Sequence, residues 1–176
     1  MSTVEEKRIV SKETVTLLVN GETHDVVVEP QWTLQYVLHD KMGLLGTKEF
    51  CAEGACGACS VILEGRPVLS CMMLAIECAG KPIETIEGIA QANHPLIDAY
   101  IRNSCMQCGF CTPGFVVTAK ALLDRNPDPS IEDIKEAMVG NLCRCGTYPA
   151  HIKAIQEAAA VLRGVVVAGA QGGGQQ

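Results

Sequence analysis

The sequence predicts an α+β protein: a small mixed sheet followed by a four-helix bundle. Three observations carry that prediction. Residues 14–29 and 60–71 are runs of β-branched and aliphatic residues, each folded back at a glycine turn. After Gly88 the apolar residues switch to helical steps of three and four. Eight of the ten cysteines fall into two groups, one in each part of the chain.

Residues 1–13 are polar and expected to be a flexible arm. Thr14 to Asn20 (TVTLLVN) reads as a strand, Asn20-Gly21 as a hairpin turn, and His24 to Glu29 as the return strand closed by Pro30. Trp32 to Lys41 carries Leu34, Val37 and Leu38 at helical spacing, with Thr33 near its start and Gly43 and Gly46 after it. The loop from Cys51 to Cys59 reads C-A-E-G-A-C-G-A-C, and its small residues let backbone wrap closely around a bound group. Ser60–Glu64 and Pro67–Cys71 form a second hairpin around Gly65-Arg66, and Ile83–Ile86 a last strand. Residues 14–87 are thus expected to form a plant-ferredoxin-like β-grasp domain.

Residues 88–164 are expected to form the helical domain. Pro95–Asn103 is its first helix, with proline in the opening turn. Thr112-Pro113 opens the second, with Phe115, Val116, Ala119, Leu122 and Leu123 on one side. Ser130 begins the third, where Ser130 and Asp133 resemble a capping box and Ile131, Ile134, Ala137 and Met138 form the apolar face. Pro149 opens the fourth, with Ile152, Ile155, Ala159 and Leu162 as its stripe. Short links between short helices fit a bundle. The Gly-rich stretch 165–176 is expected to be a disordered tail.

Net charge is −6, with acids and bases interspersed, so no basic stripe for nucleic acid exists. No run approaches the length of a membrane span. The start MSTVEEKRIVSKE has no apolar segment and no cleavage motif, and Lys7-Arg8 is not a twin-arginine signal. The expectation is a cytoplasmic protein whose thiolates bind metal, with export open only by riding on a signal-bearing partner.

Cys51, Cys56 and Cys59 have C-x4-C-x2-C spacing, the plant-type pattern for a [2Fe–2S] cluster. Cys71 is the expected fourth ligand because it ends a strand that pairs back toward Cys59; Cys78 is the alternative, and its plainer role is a buried thiol. Cys108, Cys111, Cys143 and Cys145 form the second set. Cys105, Cys108 and Cys111 also open a bacterial [4Fe–4S] run, but Phe115 and Val116 stand where that run needs Cys-Pro. Zinc remains a rival for the second set on spacing alone. A Rieske centre needs two histidines, and His24, His39, His94 and His151 lie apart from the cysteine groups, with surface or capping roles expected.

The strings GTKEFCAEGACGACSV (46–61), QCGFCTPG (107–114) and GNLCRC (140–145) resemble the small iron–sulfur subunit of the xanthine oxidase family of molybdenum hydroxylases. The likeness covers about residues 14–163. It implies a second [2Fe–2S] cluster in place of zinc. It also implies a large partner subunit holding molybdenum, or tungsten, on molybdopterin, an FAD-bearing medium subunit, and a multimer of heterotrimers. Electrons would pass one at a time through this chain, the helical cluster lying nearer the pterin. By the same likeness Gln107 would hydrogen-bond the pterin, and Cys145 would both ligate iron and touch the pterin. No catalytic acid, base or nucleophile is expected on this chain. Many members read C-R-C-T-G-Y, whereas this chain reads Cys145-Gly146-Thr147-Tyr148, a variant that resembles the isoquinoline and aldehyde oxidoreductase branch. The rival readings are a freestanding two-cluster ferredoxin and a zinc-binding interaction module.

Overall fold

Two hairpins and one short closing strand build the sheet of the computed structural model, which describes residues 11–165. Residues 1–10 of the expected arm and 166–176 of the expected tail lie outside them. Strands β1 (Glu13–Val19) and β2 (Glu22–Val28) pair antiparallel across Asn20 and Gly21. Both turn residues have positive φ, 52° and 83°, which Asn and Gly tolerate and which matches strand twist. Strands β3 (Ser60–Leu63) and β4 (Arg66–Leu69) form the second hairpin. Strand β5 (Pro82–Glu84) runs parallel to β1 and antiparallel to β3, giving the order β2-β1-β5-β3-β4.

Every residue of β3 is buried. Alternate side chains of a strand point to opposite faces. Val61 and Leu63 therefore join Leu17, Leu34, Leu38 and Ile83 in the sheet core, while Ile62 enters a second core with Ile89, Leu96, Tyr100 and Phe115. One strand is the wall of both cores.

Helix α1 (Leu34–Tyr36) is capped by Thr33, whose hydroxyl accepts from the Tyr36 N–H at 3.1 Å. It begins two residues later than the expected Trp32 and widens into a π-helical turn over Val37–Lys41. The wide turn is closed by Met42 N–H to the Val37 carbonyl at 3.0 Å, and it leaves Leu34, Val37 and Leu38 all buried. Strand β4 stops at Leu69, so Cys71 lies in a 3₁₀ turn (Ser70–Met72) and not at a strand end.

Helical structure begins before Gly88. Helix α2 (Ile86–Gln91) follows β5 directly, and the expected boundary after residue 87 lies inside it. Its first residues are tied to the β1–β2 turn: Asn20 accepts from the Thr85 N–H at 2.8 Å and donates to the Thr85 hydroxyl at 3.0 Å. Gly88, after which the sequence pattern turns helical, is where the helix passes against the Asn20 side chain.

Helix α3 (Pro95–Arg102) starts at His94, whose Nδ1 accepts from the Leu96 N–H. Helix α4 (Thr112–Arg125) is central and buried on nearly every side from Gly114 to Leu123, more than the one-sided stripe expected. Helix α5 (Ile131–Ala137) carries the reciprocal Ser130–Asp133 capping box, although Ile131 itself is exposed. Helix α6 (Tyr148–Leu162) buries His151, Ala154, Ile155, Ala158 and Ala159. That face is rotated from the expected stripe, since Leu162 is 45% exposed.

Candidate metal centres

The loop after α1 turns twice through glycine, at Gly54 (φ 76°) and Gly57 (φ 75°). Cys51, Cys56 and Cys59 all lie along this loop, and the Ala55 N–H donates to Cys51 Sγ at 3.4 Å. The 3₁₀ turn that follows β4 supplies Cys71. Next to it, the Ser70 N–H and hydroxyl both donate to the Cys59 carbonyl, at 3.3 and 2.6 Å. The thiols fall into close pairs, Cys51 with Cys56 and Cys59 with Cys71. The backbone N–H of Glu53 beside Cys51 lowers its thiol to about 7. Burial, with Cys59 alongside, raises Cys71 to about 11.

The second set is assembled from farther apart. Cys108 and Cys111 lie just before α4, and Cys143 and Cys145 lie in the loop between α5 and α6. Each close pair takes one cysteine from each loop: Cys145 and Cys108 sulfurs lie 3.6 Å apart, and Cys111 lies in hydrogen-bonding range of Cys143. The Tyr148 hydroxyl fixes the loop by accepting from the Cys143 N–H at 2.7 Å. Burial, with Cys143 alongside, raises Cys111 to about 12. Burial pushes Cys143 up, but hydrogen bonds from the Thr147 hydroxyl and N–H, Cys111 and the Gly146 N–H together bring that thiol down to about 7.

One residue here was not expected. His151 is buried, and a ring nitrogen of it lies within 4.8 Å of the Cys111 and Cys143 sulfurs. Its ring stacks on Phe115 with centroids 4.0 Å apart, and burial lowers it to about 4, so it is neutral at pH 7. The spacing of Thr147 and His151, one helical turn apart just after Cys145, is the signal that points to it. The other histidines stay away from both sets: His94 caps α3, His39 bonds the Thr47 carbonyl, and His24 lies on β2.

Cys78 and Cys105 belong to neither set. Cys78 lies in the sheet core with its thiol 3.5 Å from the Leu74 carbonyl, and Cys105 lies in the helical core. Burial raises both thiols.

The two sets share a border. The Leu142 N–H donates to the Cys56 carbonyl at 2.9 Å, and Asn141 Nδ2 donates to the Gly57 carbonyl at 3.3 Å. A largely apolar cleft of about 690 Å³ runs along it, touching Cys56, Cys108, Cys111 and Cys143. Cys108 is exposed and Gln107 stands exposed next to it. Around this mouth lie Phe50 (72% exposed), Phe110 and Leu142, with Phe50 and Phe110 meeting edge to face at 5.9 Å.

Eight soft donors, grouped as four and four and each four as two close pairs, fit [2Fe–2S] clusters, which take two thiolates per iron. Among the described residues no helix is long and apolar enough to cross a membrane.

Comparison with known proteins points to the same kind of cluster. Residues 11–101 match a family model described as a 2Fe-2S iron-sulfur cluster binding domain, and residues 85–156 match a [2Fe-2S] binding domain. The nicotinate dehydrogenase small FeS subunit of Eubacterium barkeri is 48% identical over 78% of this chain and 89% of its own length. Aldehyde oxidoreductase of Megalodesulfovibrio gigas is 44% identical over 84% of this chain, which spans only 17% of that longer protein. The crystal structure of quinoline 2-oxidoreductase from Pseudomonas putida 86 superposes with a TM-score of 0.82 at 40% identity, over 88% of this chain and 99% of the matched one.

Proposed function

The chain belongs to the small [2Fe–2S] subunits of the xanthine oxidase family of molybdenum hydroxylases, and from that premise we propose that Cys51, Cys56, Cys59 and Cys71 hold one cluster and Cys108, Cys111, Cys143 and Cys145 the other. It is the electron-transfer subunit of an oxidoreductase. When bound, the clusters supply one-electron steps between the molybdenum (or tungsten) pterin of a large subunit and a flavin or other acceptor.

The chain's own residues do the rest. Backbone N–H groups such as that of Ala55 point at sulfur and favour the electron-rich state. The apolar cleft borders the second set, and Cys108 stays exposed at its mouth. Its rim of Phe50, Phe110 and Leu142 is the surface that receives the large subunit, because exposed aromatic clusters are interaction sites. Gln107 and Cys145 neighbour the cleft-lining Cys108 and Arg144 in the chain, and the role assigned to them is contact with the partner's pterin. The remaining cofactors belong to other chains: an FAD-bearing medium subunit completes a heterotrimer, and heterotrimers form the multimer. The ten unpaired thiols favour a reducing compartment, the cytoplasm.

The observation that carries this reading is the placement of the second thiol set at the mouth of an apolar cleft. Purification from the native source tests it. The expected product is red-brown, contains a larger pterin-bearing chain, and has about four irons per copy of this chain. Elution at the 18.7 kDa of the free chain would leave a freestanding carrier. A colourless product without acid-labile sulfide would leave a zinc module. Gln107→Ala should keep the iron and slow electron passage from the pterin.

A further inference from the structure

Cys143 Sγ, Thr147 Oγ1 and His151 Nε2 form a continuous chain, with steps of 3.2 and 3.0 Å. The direction of each hydrogen bond follows from the donor inventory. A metal-bound thiolate has no proton, so the Thr147 hydroxyl donates to sulfur. The Thr147 oxygen then accepts from His151, which places the ring proton on Nε2. His151 Nδ1 agrees, being buried without a partner among the described residues. The ring cannot swing away. It is clamped flat against Phe115 and lies 5.3 Å from the Tyr100 ring.

We propose that Thr147 and His151 are positioning residues that set the reduction potential of the cluster held by Cys143. The inference rests on the reading of Cys143 as a ligand. A hydrogen bond to a ligand sulfur stabilises the reduced, more electron-rich cluster and so raises its potential. An N–H donated to the hydroxyl oxygen polarises the O–H and strengthens the bond it gives onward. Among the described residues the first thiol set has no such side-chain chain; the donor to Cys51 is the backbone N–H of Ala55. The pair therefore acts on one cluster and not on the other.

The test is a redox titration of the intact complex, followed through its two reduced paramagnetic signals. Cys108→Ser first identifies the signal of the second set. If it removes neither signal, the ligand reading fails, independently of the present inference. Thr147→Val should then shift the midpoint of that signal downward, up to about tenfold in the reduction equilibrium, or ~59 mV for one electron. The other signal should stay in place, and Thr147→Ser should restore the midpoint. His151→Phe keeps the stack and removes the donor, so a smaller downward shift is expected, while His151→Gln, which retains an N–H, should lie nearer the parent. The His151 pair decides the matter if Thr147→Val loses its cluster. An unmoved midpoint in His151→Phe, or equal shifts of both signals, overturns the proposal. So does a strong, directly bonded coupling to ¹⁵N-labelled histidine in the unaltered complex, which would make His151 a ligand.

Discussion

Cys51, Cys56 and Cys59 lie on one loop and need only the β3–β4 hairpin to bring in Cys71. Cys108 and Cys111 meet Cys143 and Cys145 only after α4, α5 and α6 have packed. The first site is thus local in the chain, and the second depends on tertiary structure. The pattern of sulfur pairs shows the same contrast. Cys51 pairs with Cys56 inside one loop, whereas Cys108 pairs with Cys145 across two. A thiol set built by helix packing responds to changes in the helical core that leave the loop-borne set untouched.

The largest effect expected from that contrast follows Cys108→Ser. One of the two reduced paramagnetic signals should vanish and the other remain. Loss of both together would mean that the sites are not built independently. Gly114→Ala probes the border between them. A Cβ there would run into the carbonyl oxygen of Gly57, which belongs to the first loop. Overpacking of this kind costs about 1–3 kcal/mol. The expected result is a lower urea midpoint together with a weaker magnetic interaction between the two signals. An unchanged midpoint would show that the border is looser than described.

The smallest effect is at the α5 cap, remote from the loop-borne set. Ser130→Ala should cost about 1 kcal/mol at neutral pH and lower the denaturation midpoint of the second signal more than that of the first. The Ser130 N–H and hydroxyl hold the Asp133 carboxyl below its ordinary value. A depressed carboxylate stabilises the fold above its unfolded pKa, and the contribution is lost as pH falls through the lowered folded value. The difference between parent and Ser130→Ala should therefore shrink as the pH drops through the acid range. A difference independent of pH would count against the cap.

Local chemistry made much of this legible. Asn20-Gly21, Thr33 and the Ser130–Asp133 box act through their immediate neighbours, and each signals its role by residue type alone. The π-helical turn after Tyr36 has no such signature, because it is fixed by how Val37 and Leu38 pack beneath the sheet. Gly88 marked the expected start of helical spacing, and its place inside α2 was hidden because its neighbour, Asn20, is remote in sequence. His151 was missed for a similar reason. The isoleucines of α6 suggest one apolar stripe, but the alanines Ala154 and Ala158 allow closer packing on a neighbouring face, and that face carries the histidine inward. Spacing located both groups of cysteines, but it could not say which sulfurs become neighbours.

β3 has one more implication, for the chain as a set of parts. Because Ile62 is packed among helices while Val61 and Leu63 are packed under the sheet, a fragment cut near residue 87 would carry a greasy scar on its sheet and would sever α2. The halves are not interchangeable cassettes: grafting either onto a foreign carrier requires a new cover for that strand.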